Sequence, residues 1–220
     1  MFYEPQPTRY DLNFHLFGFP VRIHPFFWLL TVFLGANFGG PALVMWVLAV
    51  TFSILVHELG HALAWRCFGI PTHIVLYSFG GLTIAPRGYN LRWFENAFVS
   101  FAGPGAGFVV YGIFSLISPD LFSINGKNFL MFILYINLFW GIFNLLPVYP
   151  LDGGQIVREI AMHFSPRNGL VYTMNISLVT AIMIIGAAIS RKEFFVALLF
   201  VWMAISNYQL LNQITSVKSF

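Results

Sequence analysis

Three residues that can do chemistry together stand within a single helical turn. His57, Glu58 and His61 lie inside an apolar run from about residue 43 to residue 65. Positions i and i+4 of a helix share a face, so both imidazoles can point at one Zn²⁺, each about 2 Å away. Glu58 projects about 100° round the helix from His57, within reach of a water on that metal without itself ligating. The H-E-x-x-H spacing thus describes a metal site with a general base beside it. Short patterns of this kind recur by chance in soluble helices. In an apolar span, however, a glutamate between two imidazoles is costly unless it is paired or functional, which favours the metal reading.

The elements that must position this turn are those of a membrane chain. Of 220 residues, 58% are hydrophobic and 9% charged, with mean hydropathy +0.77; a soluble domain carries about a quarter charged residues. At roughly 20 residues per span there is room for about six helices and short loops. The expected fold is therefore an all-α polytopic membrane protein of about six transmembrane helices with a small membrane-associated β-hairpin. We treat residues 1–220 as one domain. The net charge of +3 and pI of about 9.1 come from scattered basic residues, which read as topology determinants and not as a nucleic-acid surface. Cys67 is the one cysteine, which excludes an intrachain disulfide framework and a thiolate-rich metal site. Residues 1–10 lack the pattern of a cleaved secretory signal and are expected to be retained.

Along the chain, residues 10–14 and 18–23 alternate in strand fashion around a Gly-Pro turn, at the membrane surface. The spans read as 25–37, 42–68, 97–117, 129–146, 170–189 and 194–211. His24 opens the first span and reads as a cap or surface group. The loop at 69–92 holds two β-branched, aromatic-rich runs on either side of Gly80-Gly81, read as a hairpin. His73 on its first run has no second ligand beside it and reads as structural. His163, in a polar connection, reads as solvated. Gly103 and Gly107 form a small-xxx-small face that admits another backbone.

A catalytic zinc has three protein ligands and an open position. Of the eight acidic residues, Glu4, Asp11, Glu95, Asp120, Glu159 and Glu193 read as loop or interface groups and Glu58 as the base, which leaves Asp152 as the third ligand. The alternative for Asp152 is an ordinary Asp-Gly turn. It follows Asn144-Leu145-Leu146-Pro147-Val148-Tyr149-Pro150-Leu151, where two prolines break a helix and Gly153-Gly154 reads as a flexible turn, so Asp152 is delivered at a helix end.

His57-Glu58-Leu59-Gly60-His61 in one span, Gly103-Pro104-Gly105 in the next, and Asn144 with Pro147, Pro150 and Asp152-Gly153-Gly154 after a third resemble the site-2 protease family of intramembrane zinc metalloproteases. The resemblance covers about residues 42–160. It implies one zinc per chain held by His57, His61 and Asp152, with Glu58 as general base toward a zinc-activated water. It also implies that Asn144 holds the substrate carbonyl or oxyanion and that Gly80 and Gly81 lie near the substrate strand. The expected reaction is hydrolysis of a peptide bond within or near a transmembrane segment of a membrane-anchored substrate. Many family members carry a PDZ or CBS domain, for which this chain has no room. Expected partners are a transmembrane protein substrate and the lipid bilayer, with a homo-oligomer compatible and no nucleic acid.

Two readings from other classes remain: a catalytically silent relative that binds transmembrane helices, and a metal transporter using the same three ligands. Arg9, Arg22, Arg66, Arg87, Arg92, Arg158, Arg167 and Lys218 fall on one side of the expected spans, and Lys127, Arg191 and Lys192 on the other. By the positive-inside rule, both termini are expected in the cytoplasm. A compact chain of this kind is expected in a prokaryotic inner membrane.

Overall fold

The structure is a computed structural model that describes residues 4–78, 80–86 and 88–218. Apolar alternation near the N-terminus produces β1 (Leu12–Leu16) and β2 (Phe19–Ile23), paired antiparallel with Leu16 opposite Phe19. Phe17 and Gly18 connect them at φ of 49° and 83°, the left-handed backbone that two-residue hairpin turns demand. In β2 the pleat buries Phe19, Val21 and Ile23 on one face and turns Pro20 and Arg22 to the other.

α1 (Pro25–Leu34) begins under a cap from His24, whose Nδ1 accepts the Phe26 N–H at 3.1 Å. His24 is thus the cap that its position suggests. α2 (Gly40–Cys67) has 28 residues, about 42 Å of helix against a bilayer core of about 30 Å. Together the two helices form the crossover that lets β2 pair in parallel with β3 (His73–Tyr77), Val21 opposite Ile74 and Ile23 opposite Leu76. Pro20 precedes the first residue of this ladder, so its missing N–H costs no bond to β3.

β4 (Gly80–Ile84) pairs antiparallel with β3 and ends the four-stranded order β1-β2-β3-β4. The expected hairpin is present, but Gly80 and Gly81 are not its turn. They are the first two strand residues, opposite Tyr77 and Leu76. The bend falls earlier, where Ser78 takes φ of 50°; Phe79 and Arg87 lie outside the described residues.

The remaining helices are α3 (Trp93–Ser115), α4 (Ile124–Asn144), α5 (Asp152–Phe164), α6 (Gly169–Ser190) and α7 (Phe194–Lys218). Among the described residues, α2, α3, α4, α6 and α7 are long and apolar enough to cross a membrane, and α1 is a shorter apolar helix. These five and α1 account for the expected count of about six.

The chain clusters into two compact units, Met1–Asn90 with Ala102–Ile142, and Leu91–Phe101 with Phe143–Phe220. In the first unit the buried face of the sheet packs on α1 and α2 through Val21, Ile23, Phe27, Ile54, Leu59 and Leu76. A second cluster joins Ala49 of α2 to Ile133 and Ile136 of α4. Beside it, buried Asn137 donates to Ser53 Oγ at 2.8 Å and to the Ile133 carbonyl at 2.9 Å. On the polar face of the sheet, Arg22 reaches Glu4 at 2.7 Å and Asp11 at 3.0 Å.

In the second unit Val148, Leu151, Ala181, Phe200 and Met203 form the core. Gly153 and Gly154, read from sequence as a flexible turn, are instead helical, in the first turn of α5. A Cβ on either would overlap the backbone of residues 145–149. They are glycines because main chain is pressed against that turn. His163, on the same helix, is exposed but stacks on Trp93, ring centroids 4.8 Å apart.

Candidate metal centre

The site in the first unit sits near the end of α2, about 9 to 15 Å of helix before Cys67 at 1.5 Å per residue. The helix is apolar all round, yet His57, Glu58 and His61 are all buried. His57 Nε2 and His61 Nε2 face each other at 3.2 Å. Two nitrogens bound tetrahedrally to one zinc at about 2.0–2.1 Å stand about 3.3 Å apart, so the pair is already spaced for a shared metal. The i, i+4 geometry of an unbroken helix is sufficient to produce it.

Small residues shape the space around the pair. A Cβ on Gly103 of α3 would overlap the His61 imidazole at Nε2, so the glycine leaves room for the ring. The small-residue stripe of α3 faces a side chain at Gly103, the His61 ring, and main chain at Gly107, where an added Cβ would stand 3.4 Å from the Asn137 carbonyl oxygen. The closest backbone approach is one residue before His61 and Gly103 on their helices, where a Cβ on Gly60 of α2 would overlap the Ala102 carbonyl.

Glu58 is held from the sheet. Thr83 Oγ1 lies 2.7 Å from Glu58 Oε2 and 2.9 Å from the Glu58 carbonyl oxygen, donating to the two acceptors. A Cβ on Gly81 would overlap Glu58 Cγ and come within 2.6 Å of Oε1. One strand thus touches both sides of the carboxyl group, through a hydroxyl at one and bare backbone at the other. Thr83 is the residue sequence reasoning missed. It follows Gly81 by two, so strand periodicity puts both on one face, a signal the sequence does contain.

The other expected site residues are in the second unit. Asn144 ends α4 and Asp152 begins α5, and both are buried. Asp152 sits in the first turn, where the positive end of the helix dipole favours negative charge. Its preceding residues are tied down one by one. The Leu151 N–H bonds the Val148 carbonyl at 2.9 Å, the Tyr149 N–H bonds Ser177 Oγ at 2.9 Å, and Asn207 Nδ2 donates to the Tyr149 carbonyl at 2.7 Å.

Of the remaining expected loop groups, Glu4 comes within 3.3 Å of His73 Nε2, which gives that histidine an exposed structural partner on the sheet. Burial pushes the Glu4 carboxyl up, but hydrogen bonds and charge from Arg22 and His73 outweigh it and leave the group below the usual carboxylate range. Asp11 is likewise held below that range, burial being outweighed by Thr8 and Arg22.

The Peptidase family M50 description matches residues 111–187. A zinc metalloprotease of Methanocaldococcus jannaschii is 33% identical over 67% of this chain and 44% of its own length. The protein named zinc metalloprotease Rip3 in Mycobacterium tuberculosis is 33% identical over 64% of this chain and 41% of its own. The chain thus spans less than half the length of these relatives. The fold matches the site-2 protease structure from Methanocaldococcus jannaschii with a TM-score of 0.65, at 22% identity over 92% of this chain and 95% of that one.

Proposed function

As the chain belongs to the site-2 protease family of zinc metalloproteases, Peptidase family M50, we propose that it hydrolyses a peptide bond within or near a transmembrane segment of a membrane-anchored substrate. The observation that carries this reading is the buried pair of imidazole nitrogens, 3.2 Å apart, with the Glu58 carboxylate beside them in the same helical turn. His57 and His61 supply two zinc ligands, and Asp152 is the third. Support for Asp152 comes from the motif order, its burial and its place at the start of α5. A zinc ion there supplies Lewis-acid polarisation of a water and of the scissile carbonyl.

The chain's own residues do the rest. Glu58 accepts the water's proton through the carboxylate that Thr83 orients, then returns it to the leaving amine. Asn144 donates to the substrate carbonyl oxygen as it gains negative charge. A helical substrate hides its carbonyls in i to i+4 bonds, so it has to unwind before attack. β4 ends the order of the sheet, and a strand added there satisfies the unwound backbone. Gly80 and Gly81 sit on that edge strand, and Gly81 brings it against Glu58.

The chain is an integral membrane protein. We place its catalytic end and both termini on the cytoplasmic side, in keeping with the excess of basic residues there. The pairing of β2 with β3 supports this for the N-terminus, because it brings residues 19–23 to the strand that follows α2. The membrane we assign is a prokaryotic inner membrane.

The test is a panel of single-span helices presented to detergent-purified wild type and Glu58→Gln. Wild type cuts within the apolar segment and the variant does not. Equal cutting by both would sink the reading.

A further inference from the structure

We infer that α6 and α7 act as a positioning clamp for Asp152, through Ser177 and Asn207 gripping the main chain of Tyr149. This rests on the reading above that Asp152 is a zinc ligand. Residues 147–151 carry no helix or strand, yet their polar groups lie in apolar surroundings and need partners. Nearby groups find main-chain or local bonds, Val148 N–H to the Leu146 carbonyl at 2.7 Å and Gln155 Nε2 to the Pro150 carbonyl at 3.3 Å. Tyr149 alone in this run has its N–H and its carbonyl each held by a side chain from a different transmembrane helix.

Burial of the two side chains points the same way. Ser177 is fully buried and Asn207 is 1% exposed. The Asn207 amide nitrogen donates to Tyr149 and to the Met203 carbonyl at 2.9 Å, while its Oδ1 has no hydrogen-bond partner among the described residues. The amide is present as a donor. An unmet acceptor in an apolar core is a cost that an aliphatic residue would avoid. From the other side, a Cβ on Gly154 would lie 2.6 Å from Tyr149 Cα, so the first turn of α5 rests directly on the clamped residue. Tyr149 is fixed between two spans and the helix whose first residue is Asp152. Ser177 and Asn207 are therefore positioning residues that act on Asp152 through Tyr149.

The experiment uses the full-length protein, loaded with zinc for chelator-driven release and with cobalt(II) for its visible d–d bands. Ser177→Ala and Asn207→Leu are compared with Asp152→Ala and with Thr173→Ala. Thr173 is a fully buried residue one turn earlier on α6 whose hydroxyl donates to the Gly169 carbonyl of its own helix, at 2.8 Å. Second-sphere residues typically change metal affinity about 10- to 100-fold. Ser177→Ala and Asn207→Leu should release zinc about 10-fold faster and shift the cobalt bands, with Thr173→Ala like wild type. Wild-type spectra and release in both clamp variants, with Asp152→Ala impaired, overturn the clamp and leave Asp152 a ligand. An unaltered Asp152→Ala removes the ligand assignment and the clamp with it. An equal defect in Thr173→Ala marks a general helix effect and also overturns it. If Asn207→Leu fails to fold, Ser177→Ala alone decides.

Discussion

Thr83 donates its hydroxyl to the Glu58 carboxylate, Oγ1 to Oε2 at 2.7 Å, and reaches the Glu58 carbonyl at 2.9 Å from the same oxygen. The proposed general base is thus held by a strand residue 25 positions away in sequence. A hydrogen bond to a charged group contributes about 1.5–3 kcal/mol, so Thr83→Val should slow cleavage about 10- to 100-fold. Thr83→Ser keeps the hydroxyl and most of the rate. Zinc content stays at the wild-type level in both, as metal analysis would check, because neither change touches a ligand.

Neighbouring glycines of β4 make a matched pair. A Cβ on Gly81 overlaps Glu58 Cγ, whereas one on Gly80 meets only the Trp140 ring, at 3.4 Å. The overlap is relieved by turning the Glu58 side chain, so Gly81→Ala should displace the proposed base from its place beside Thr83. A loss of about 100-fold or more in cleavage is expected for Gly81→Ala, the scale of a lost general base. Gly80→Ala should stay within about threefold of wild type, since it makes only an ordinary van der Waals contact. Rates on one substrate for both variants check this directly.

On α3 the contrast is between Gly103 and Gly107. The added methyl of Gly103→Ala overlaps His61 Nε2, while that of Gly107→Ala comes no closer than 3.4 Å to Asn137. Gly103→Ala should therefore lower zinc affinity, about 10-fold or more by the scale of a disturbed ligand shell. Gly107→Ala should retain it. Competition with a chelator of known affinity measures both.

Acid sensitivity follows from the polar face of the sheet. Asp11 accepts from the Thr8 hydroxyl, the Thr8 N–H and Arg22. These outweigh burial and hold its carboxyl below the ordinary range. A carboxylate depressed on folding contributes stability that is present above its unfolded pKa and lost as pH falls through the folded one. The contribution is therefore intact at neutral pH and disappears below the ordinary carboxylate range. Asp11→Asn should flatten the acid limb of a plot of unfolding free energy against pH by about 1 kcal/mol or less, the scale of ion pairs near a protein surface.

Legibility differed by physical cause. The meeting of the two imidazoles was readable because helical periodicity alone puts His57 and His61 on one face. The spans were readable because bilayer thickness fixes their length. The sheet was only half readable. Each hairpin is a local pattern, but the parallel ladder of β2 on β3 joins segments about 50 residues apart and is set by how α1 and α2 return the chain. Gly81 and Gly153 looked like turn residues because glycine's usual signal is backbone freedom. In the fold both are glycine because something else occupies the space a Cβ would fill. That reason is tertiary and leaves no mark in local sequence.

The central claim is tested most directly by zinc content and cleavage of a single-span substrate, measured on the same preparations of wild type, Glu58→Gln and Asp152→Ala. Wild type and Glu58→Gln should hold about one zinc per chain, only the former cutting, while Asp152→Ala loses both metal and activity. Cleavage by Glu58→Gln at the wild-type rate, or by wild type stripped of zinc, would contradict the account.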